Sequence, residues 1–255
     1  MNKIDSIFSS LQDSNRKALI PFLVAGHPSL ESTEGAILAM DGTADIIEIG
    51  IPFSDPIADG PVIAVAMHKA LESGVTPADV LEMVKRVRSA VNTGLVAMVS
   101  HSIVRRLGGV IWLEQAKEAG FDGIIIPDID ETEANVLSDH CREIGISFSM
   151  LVSPTSSEER IEKLATLSSG FLYILARLGL TGEQTEIPDI ASRIEQIRAL
   201  TDLPLAVGFG ISTKAHVQEV HEHADAAIVG SALVRRMADD VDPIVSAKKF
   251  VQDIS

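Results

Sequence analysis

The sequence predicts an α/β protein, a single (β/α)8 TIM barrel with an N-terminal helix, on three observations. Eight short apolar runs recur along 255 residues. Nearly all are apolar throughout rather than alternating, as expected of parallel strands covered on both faces. Helical patterns separate them, and eight such units in roughly 250 residues are the (β/α)8 signature. A doubly wound open sheet is the alternative. It usually carries a Gly-rich fingerprint after its first strand, whereas the turn here reads Ala25-Gly-His-Pro28.

Ile4, Ile7, Phe8 and Leu11 share one helical face and predict a short amphipathic helix ahead of the first strand. The first strand spans 18–26 and stops at Gly-His-Pro. A helix is predicted over 29–40, with Ser32 or Thr33 near its start. Further strands are predicted at 44–50, 94–99, 123–127, 147–152, 171–176, 205–208 and 226–230. Helices are predicted at 77–90, 112–119, 134–144, 158–167, 187–200, 213–223 and 232–237. The interval between strands two and three is about twice the usual length, because the loop 51–61 and an added helix over 62–72 fill it. A second extended loop, 177–188, follows strand six, and its Gly/Thr composition predicts a mobile lid. Long βα loops of a barrel lie at the C-terminal face, where active sites are built.

No linker, repeat or charge block splits the chain, so residues 1–255 are read as one barrel domain. A hydrophobic fraction of 46% is ample for a large core. The net charge of −15 argues against nucleic acid and against an anionic membrane surface. An anionic small substrate remains compatible, because a local pocket of backbone N–H groups suffices for it. Cys141 is the single cysteine, which rules out a disulfide within the chain and fits a reducing compartment. The N-terminus lacks a secretory pattern, and no apolar run approaches the roughly 20 residues of a membrane helix. A cytoplasmic protein is expected.

Three carboxylates lie in or just after the second strand. Glu48 sits inside the run, where a charge costs several kcal/mol unless paired or put to use. No neighbouring strand run contains a Lys or Arg to pair with it. A Glu near the C-terminal end of a barrel strand, in apolar surroundings, can hold a raised pKa and exchange protons near neutrality. Asp55 and Asp59 precede Pro56 and Gly60-Pro61 and read equally as turn formers. No His or third carboxylate is spaced to complete a metal site with them. Gly208-Phe-Gly-Ile-Ser212 and Gly230-Ser-Ala-Leu-Val234 close strands seven and eight, the positions where barrels commonly bind phosphate on backbone N–H groups and a helix N-terminus. His221 and His223 fall at a helix end on the opposite face and are read as a solvated terminus. His68, His140, His216, Trp112 and Cys141 are read as surface or packing residues.

The stretch Glu48-Ile-Gly-Ile-Pro-Phe-Ser-Asp-Pro-Ile-Ala-Asp-Gly-Pro61, with Leu180-Thr-Gly-Glu183, Gly208-Phe-Gly-Ile-Ser212 and Gly230-Ser231, resembles the tryptophan synthase α subunit family over essentially the whole chain. The resemblance implies retro-aldol cleavage of indole-3-glycerol phosphate to indole and glyceraldehyde 3-phosphate. It implies that Glu48 is the general acid/base and that Asp59 receives the indole N–H. It implies substrate contacts from Phe22 and Tyr173, phosphate contacts from Gly182, Phe209, Gly210, Gly230 and Ser231, and a lid contact from Thr181. It further implies no cofactor or metal in this subunit, and a pyridoxal-phosphate β subunit as partner in an α2β2 heterotetramer. Two stretches depart from the family pattern: Met98-Val-Ser-His101 after strand three, and Asp128-Ile-Asp130 after strand four.

Overall fold

The computed structural model describes residues 2–56, 60–176, 190–208 and 210–255. Asp59, Thr181, Gly182 and Phe209, and the predicted lid, lie outside the described residues.

The described strands are β1 (Ala18–Val24), β2 (Ile46–Gly50), β3 (Gly94–Met98), β4 (Gly123–Ile125), β5 (Ser147–Ser149), β6 (Leu151–Val152), β7 (Leu172–Leu175), β8 (Leu205–Gly208) and β9 (Ala226–Val229). All pair in parallel, in the order β5-β4-β3-β2-β1-β9-β8-β7-β6. The two ends of that order, β5 and β6, are one chain run interrupted at Met150, whose carbonyl accepts the Tyr173 N–H at 3.0 Å. The run predicted as one fifth strand thus forms two short pieces, and the ring closes through it. Phe22 is level with Ser147 one way round the ring, and Ala18 with Leu151 the other way. Both pairs are four residues apart along their strands, so the register slips by eight residues per circuit. A stagger of eight over eight strands is the shear of a TIM barrel.

The helices are α1 (Lys3–Asp13), α2 (Leu30–Met40), α3 (Pro61–Glu72), α4 (Pro77–Val87), α5 (His101–Arg106), α6 (Val110–Ala119), α7 (Glu131–Ile144), α8 (Glu158–Leu167), α9 (Ala191–Arg198), α10 (Lys214–His223), α11 (Ser231–Asp239) and α12 (Pro243–Ile254). Ser32 and Thr33 lie near the start of α2, and Ser29 caps it; the Ser29 hydroxyl accepts the Ser32 N–H. Thr33 instead turns inward, and its Oγ1 accepts the Gly26 N–H at 3.1 Å, fixing the turn after β1. Helices α5 and α12 were not expected from the sequence. The first has only six residues. The second carries clear signals: Asp242 caps it, Pro243 begins it, and Ala247, Phe250, Val251 and Ile254 form its buried stripe.

One device repeats four times at the N-terminal face. The residue entering every second strand of the ring clamps the strand before it. Asp45, Asp122 and Asp225 accept the backbone N–H of Leu19, Leu95 and Leu205 on a carboxylate oxygen at 2.9–3.0 Å. Ser169 accepts that of Phe148 on its hydroxyl at 3.0 Å. In all four pairs the backbone N–H of the clamping residue returns a bond to the carbonyl of the clamped one. Arg88 adds a bond to Asp122, while Lys17 and Arg198 add bonds to Asp225.

Helix α1 closes the same face. Ile4 and Ile7 fill the space where side chains on Gly94, Gly123 and Gly170 would stand, with atoms 2.8–3.6 Å from those notional Cβ positions. Asp5 accepts the Gly170 N–H at 3.0 Å, and Lys3 lies 3.7 Å from Asp122. His221 also belongs here. Its Nε2–H donates to the Ala18 carbonyl at 3.0 Å, so the predicted solvated terminus holds for the exposed His223 but not for His221. Burial pulls the His221 pKa below its usual value, against the opposing pull of that bond.

Candidate active site

The C-terminal face is built on a frame of glycines. Glu48 lies on β2 and is 1% exposed. Side chains alternate along a strand, so Glu48 shares the inner face of the barrel with Gly50 and with its ladder partners Phe22 and Val96. Phe22 is 5% exposed, and its ring tip lies 2.6 Å from where a Cβ on Gly50 would stand. The same ring passes 3.4 Å from the corresponding position on Gly230. Tyr173, 6% exposed, brings its hydroxyl oxygen to 2.5 Å from the notional Cβ of Gly208. Glycine is required at 50 and 208 because two aromatic rings occupy the volume any side chain would take. The structure thereby brings together Glu48, Phe22 and Gly230 as one cluster, and sets Tyr173 against Gly208.

Gly230 is also the N-cap of α11, with Ser231 as the first helical residue. The first i→i−4 bond runs from Val234 N to Gly230 O, so the preceding N–H groups have no acceptor within the helix. They point from the end of β9 toward the barrel mouth, with the positive end of the helix dipole behind them. Gly210 follows β8 with φ of 82°, a left-handed conformation that favours glycine. Together these residues can hold an anionic group on the β8–β9 side of the mouth.

Opposite, at the ends of β2, β3 and β4, lies a cavity of about 250 Å³. Phe53, Met67, Met98 and Val99 wall it, and Asp55 and Asp128 stand on its rim. Asp128 draws two loops together. Its Oδ2 accepts the Ser100 hydroxyl at 2.8 Å and its Oδ1 accepts the His101 N–H at 2.7 Å. Ser100 in turn caps α5 by accepting the Ser102 N–H, and His101 Nε2 lies 2.6 Å from Glu133 of α7. The two stretches that depart from the family pattern are therefore bonded to each other. Sequence reasoning noticed both separately; the only signal for their pairing was an Asp just after the apolar run of β4. Arg105 and Arg106, at the end of α5, are exposed.

Among the described residues, no group of three His, Cys, Asp or Glu is arranged to hold a metal ion. Nor is any helix among them long and apolar enough to cross a membrane. Cys141 is buried, and burial pushes its thiol pKa up to about 12, so it is a packing residue.

The chain is similar over nearly its whole length to known proteins. The family model described as tryptophan synthase alpha chain matches residues 8–253. A tryptophan synthase alpha chain from Rhodopirellula baltica is 41% identical over 252 residues, covering 97% of this chain and 91% of the relative. One from Methanocaldococcus jannaschii is 38% identical, covering 94% and 86%. Among solved structures, Mycobacterium tuberculosis tryptophan synthase superposes with a TM-score of 0.92 at 31% identity, over 99% of this chain and 96% of that one. The tryptophan synthase α-subunit of Pyrococcus furiosus gives 0.87 at 34% identity, over 93% and 97%.

Proposed function

The chain belongs to the tryptophan synthase alpha chain family, whose reaction is the retro-aldol cleavage of indole-3-glycerol phosphate to indole and glyceraldehyde 3-phosphate, and we propose which of its residues carry that reaction. Glu48 is the general acid/base. It takes the proton from the glycerol hydroxyl next to the ring and delivers a proton to indole C3. The C–C bond then breaks, its electron pair returns to the ring, and the hydroxyl carbon leaves as an aldehyde. Asp59 accepts the indole N–H and stabilises the positive charge of the C3-protonated tautomer. Two carboxylates can divide these tasks without other acids or bases.

Phe22 and Tyr173 contact the organic part of the substrate. Gly210, Gly230 and Ser231, with Gly182 and Phe209, bind its phosphate through backbone N–H groups, and that binding positions the distant reacting carbons. Thr181 contacts the Asp59 loop on closure. The chain acts as one catalytic domain over 1–255, in the cytoplasm. It assembles with a tryptophan synthase β subunit as α2β2; pyridoxal phosphate belongs to that partner, and this chain works without a cofactor.

The observation that carries the reading is a buried carboxylate at the barrel mouth, level with Phe22, whose ring passes 3.4 Å from where a Cβ on the helix-capping Gly230 would stand. Indole release from indole-3-glycerol phosphate tests it. Glu48→Gln and Asp59→Asn should each lose about 10²- to 10⁴-fold in kcat, the range of general acid–base catalysis. A near-normal rate in Glu48→Gln overturns the assignment. Co-elution with a cognate β subunit on size exclusion tests the partner; full turnover with no complex formed would point to a stand-alone lyase.

A further inference from the structure

The cavity between the ends of β2, β3 and β4 lies one side-chain layer beyond Glu48. Met98 is the ladder partner of Gly50 as Val96 is of Glu48, so Met98 follows Val96 on the inner face, about 6–7 Å farther along the strand. Met67 reaches the same place from α3, with its methyl group 3.3 Å from the notional Cβ of Gly50. Both methionines face the cavity, so the wall nearest Glu48 consists of two unbranched thioethers, which adapt their shape more readily than branched or aromatic side chains. The anion-binding end, at Gly210, Gly230 and Ser231, is across the mouth.

We propose that this cavity is a subsite for substituents on the benzo ring, and that the enzyme therefore cleaves indole-3-glycerol phosphates bearing a small neutral group there. The proposal rests on the aldolase reading above. A substrate anchored by its phosphate beside β8 and β9, with its reacting carbons at Glu48, directs the far edge of its ring toward Met98. The roughly 250 Å³ beyond that edge has apolar walls from Phe53, Met67, Met98 and Val99. Its rim is negative. Asp55 is exposed, and Asp128 is held in place by Ser100 and His101. The subsite therefore selects by charge as well as size: a methyl or chloro group enters an apolar space, whereas a carboxylate meets two of its own kind.

The test compares kcat/KM of the full chain for indole-3-glycerol phosphate and for its methyl, chloro and carboxylate derivatives at each benzo position. At one position at least, the methyl and chloro compounds should stay within tenfold of the parent, while the carboxylate falls a hundredfold or more. Met98→Phe, which stiffens and crowds the inner wall, should lower the ratio of substituted to parent kcat/KM at least tenfold. Phe53→Ala, which removes a half-buried ring from the cavity wall, should raise it. Rejection of every neutral derivative by more than a hundredfold, with the parent cleaved, overturns the subsite. So does a ratio unmoved by both variants. No cleavage of the parent overturns the aldolase reading itself, a distinct result.

Discussion

Gly208 and Tyr173 show how closely the packing at the barrel mouth depends on one missing methyl group. A Cβ at 208 would lie within 2.5–2.8 Å of three atoms of the Tyr173 ring system. Gly208→Ala should therefore displace that ring, with a stability loss of about 1–3 kcal/mol typical of overpacking. Its kcat/KM for indole-3-glycerol phosphate should fall about tenfold or more, against a thermal midpoint lowered by only a few degrees. Unchanged kinetics would mean that Tyr173 has no part in the site. The burial of Glu48 on a barrel strand was legible in the sequence because the residue lies inside an apolar run. The role of Gly208 was half legible: its place after strand seven suggested phosphate, but its contact with Tyr173 depends on register between distant segments. The Ser100–Asp128 bond joins loops 28 residues apart and could be found only in three dimensions.

At the scale of elements, the clamps make a pH-dependent contribution with a definite sign. Burial raises the Asp225 pKa, but the Leu205 N–H and the Arg198 and Lys17 cations outweigh it, and the net shift is downward. A carboxyl depressed in the folded state contributes stability that is complete above its unfolded pKa, about 3.9, and is lost as pH falls through the folded value. Asp225→Asn should thus be destabilised by about 1–3 kcal/mol at pH 7. The gap from the parent chain should close in acid, as denaturant midpoints measured from pH 7 down to 3 will show; a gap independent of pH contradicts the charge argument. Helix α1 offers a second test. Ile4 is fully buried against strand-entry glycines, so Ile4→Ala should cost about 2–5 kcal/mol in urea titrations. The amphipathic face of α1 was visible in the sequence. The three glycines that receive it were not, because Gly94 and Gly123 begin separate strands and Gly170 lies in the bend before a third.

For the whole molecule, the alternation of buried runs and helices made the barrel legible, since eight all-apolar strands need cover on both faces. Closure at Met150 was not, because a ladder between the first and second halves leaves no local pattern. Burial is uniform enough that Cys141 should resist iodoacetamide at pH 8 in the native state and react only on unfolding; rapid native alkylation would show an opening near α7. The four clamps carry a wider consequence. Each joins two strands that are neighbours in the chain, so none crosses from residues 1–145 to residues 146–255. The barrel is thus a fourfold recurrence of one small unit, the trace expected of growth by duplication. A chain cut after Gly145, at a left-handed residue with open space around it, would yield two halves that each keep both of their own clamps. Such halves, made as separate polypeptides in one cell, would have to find in each other the β4–β5 and β1–β9 edges and the contacts that α1, Lys17 and His221 make across the divide.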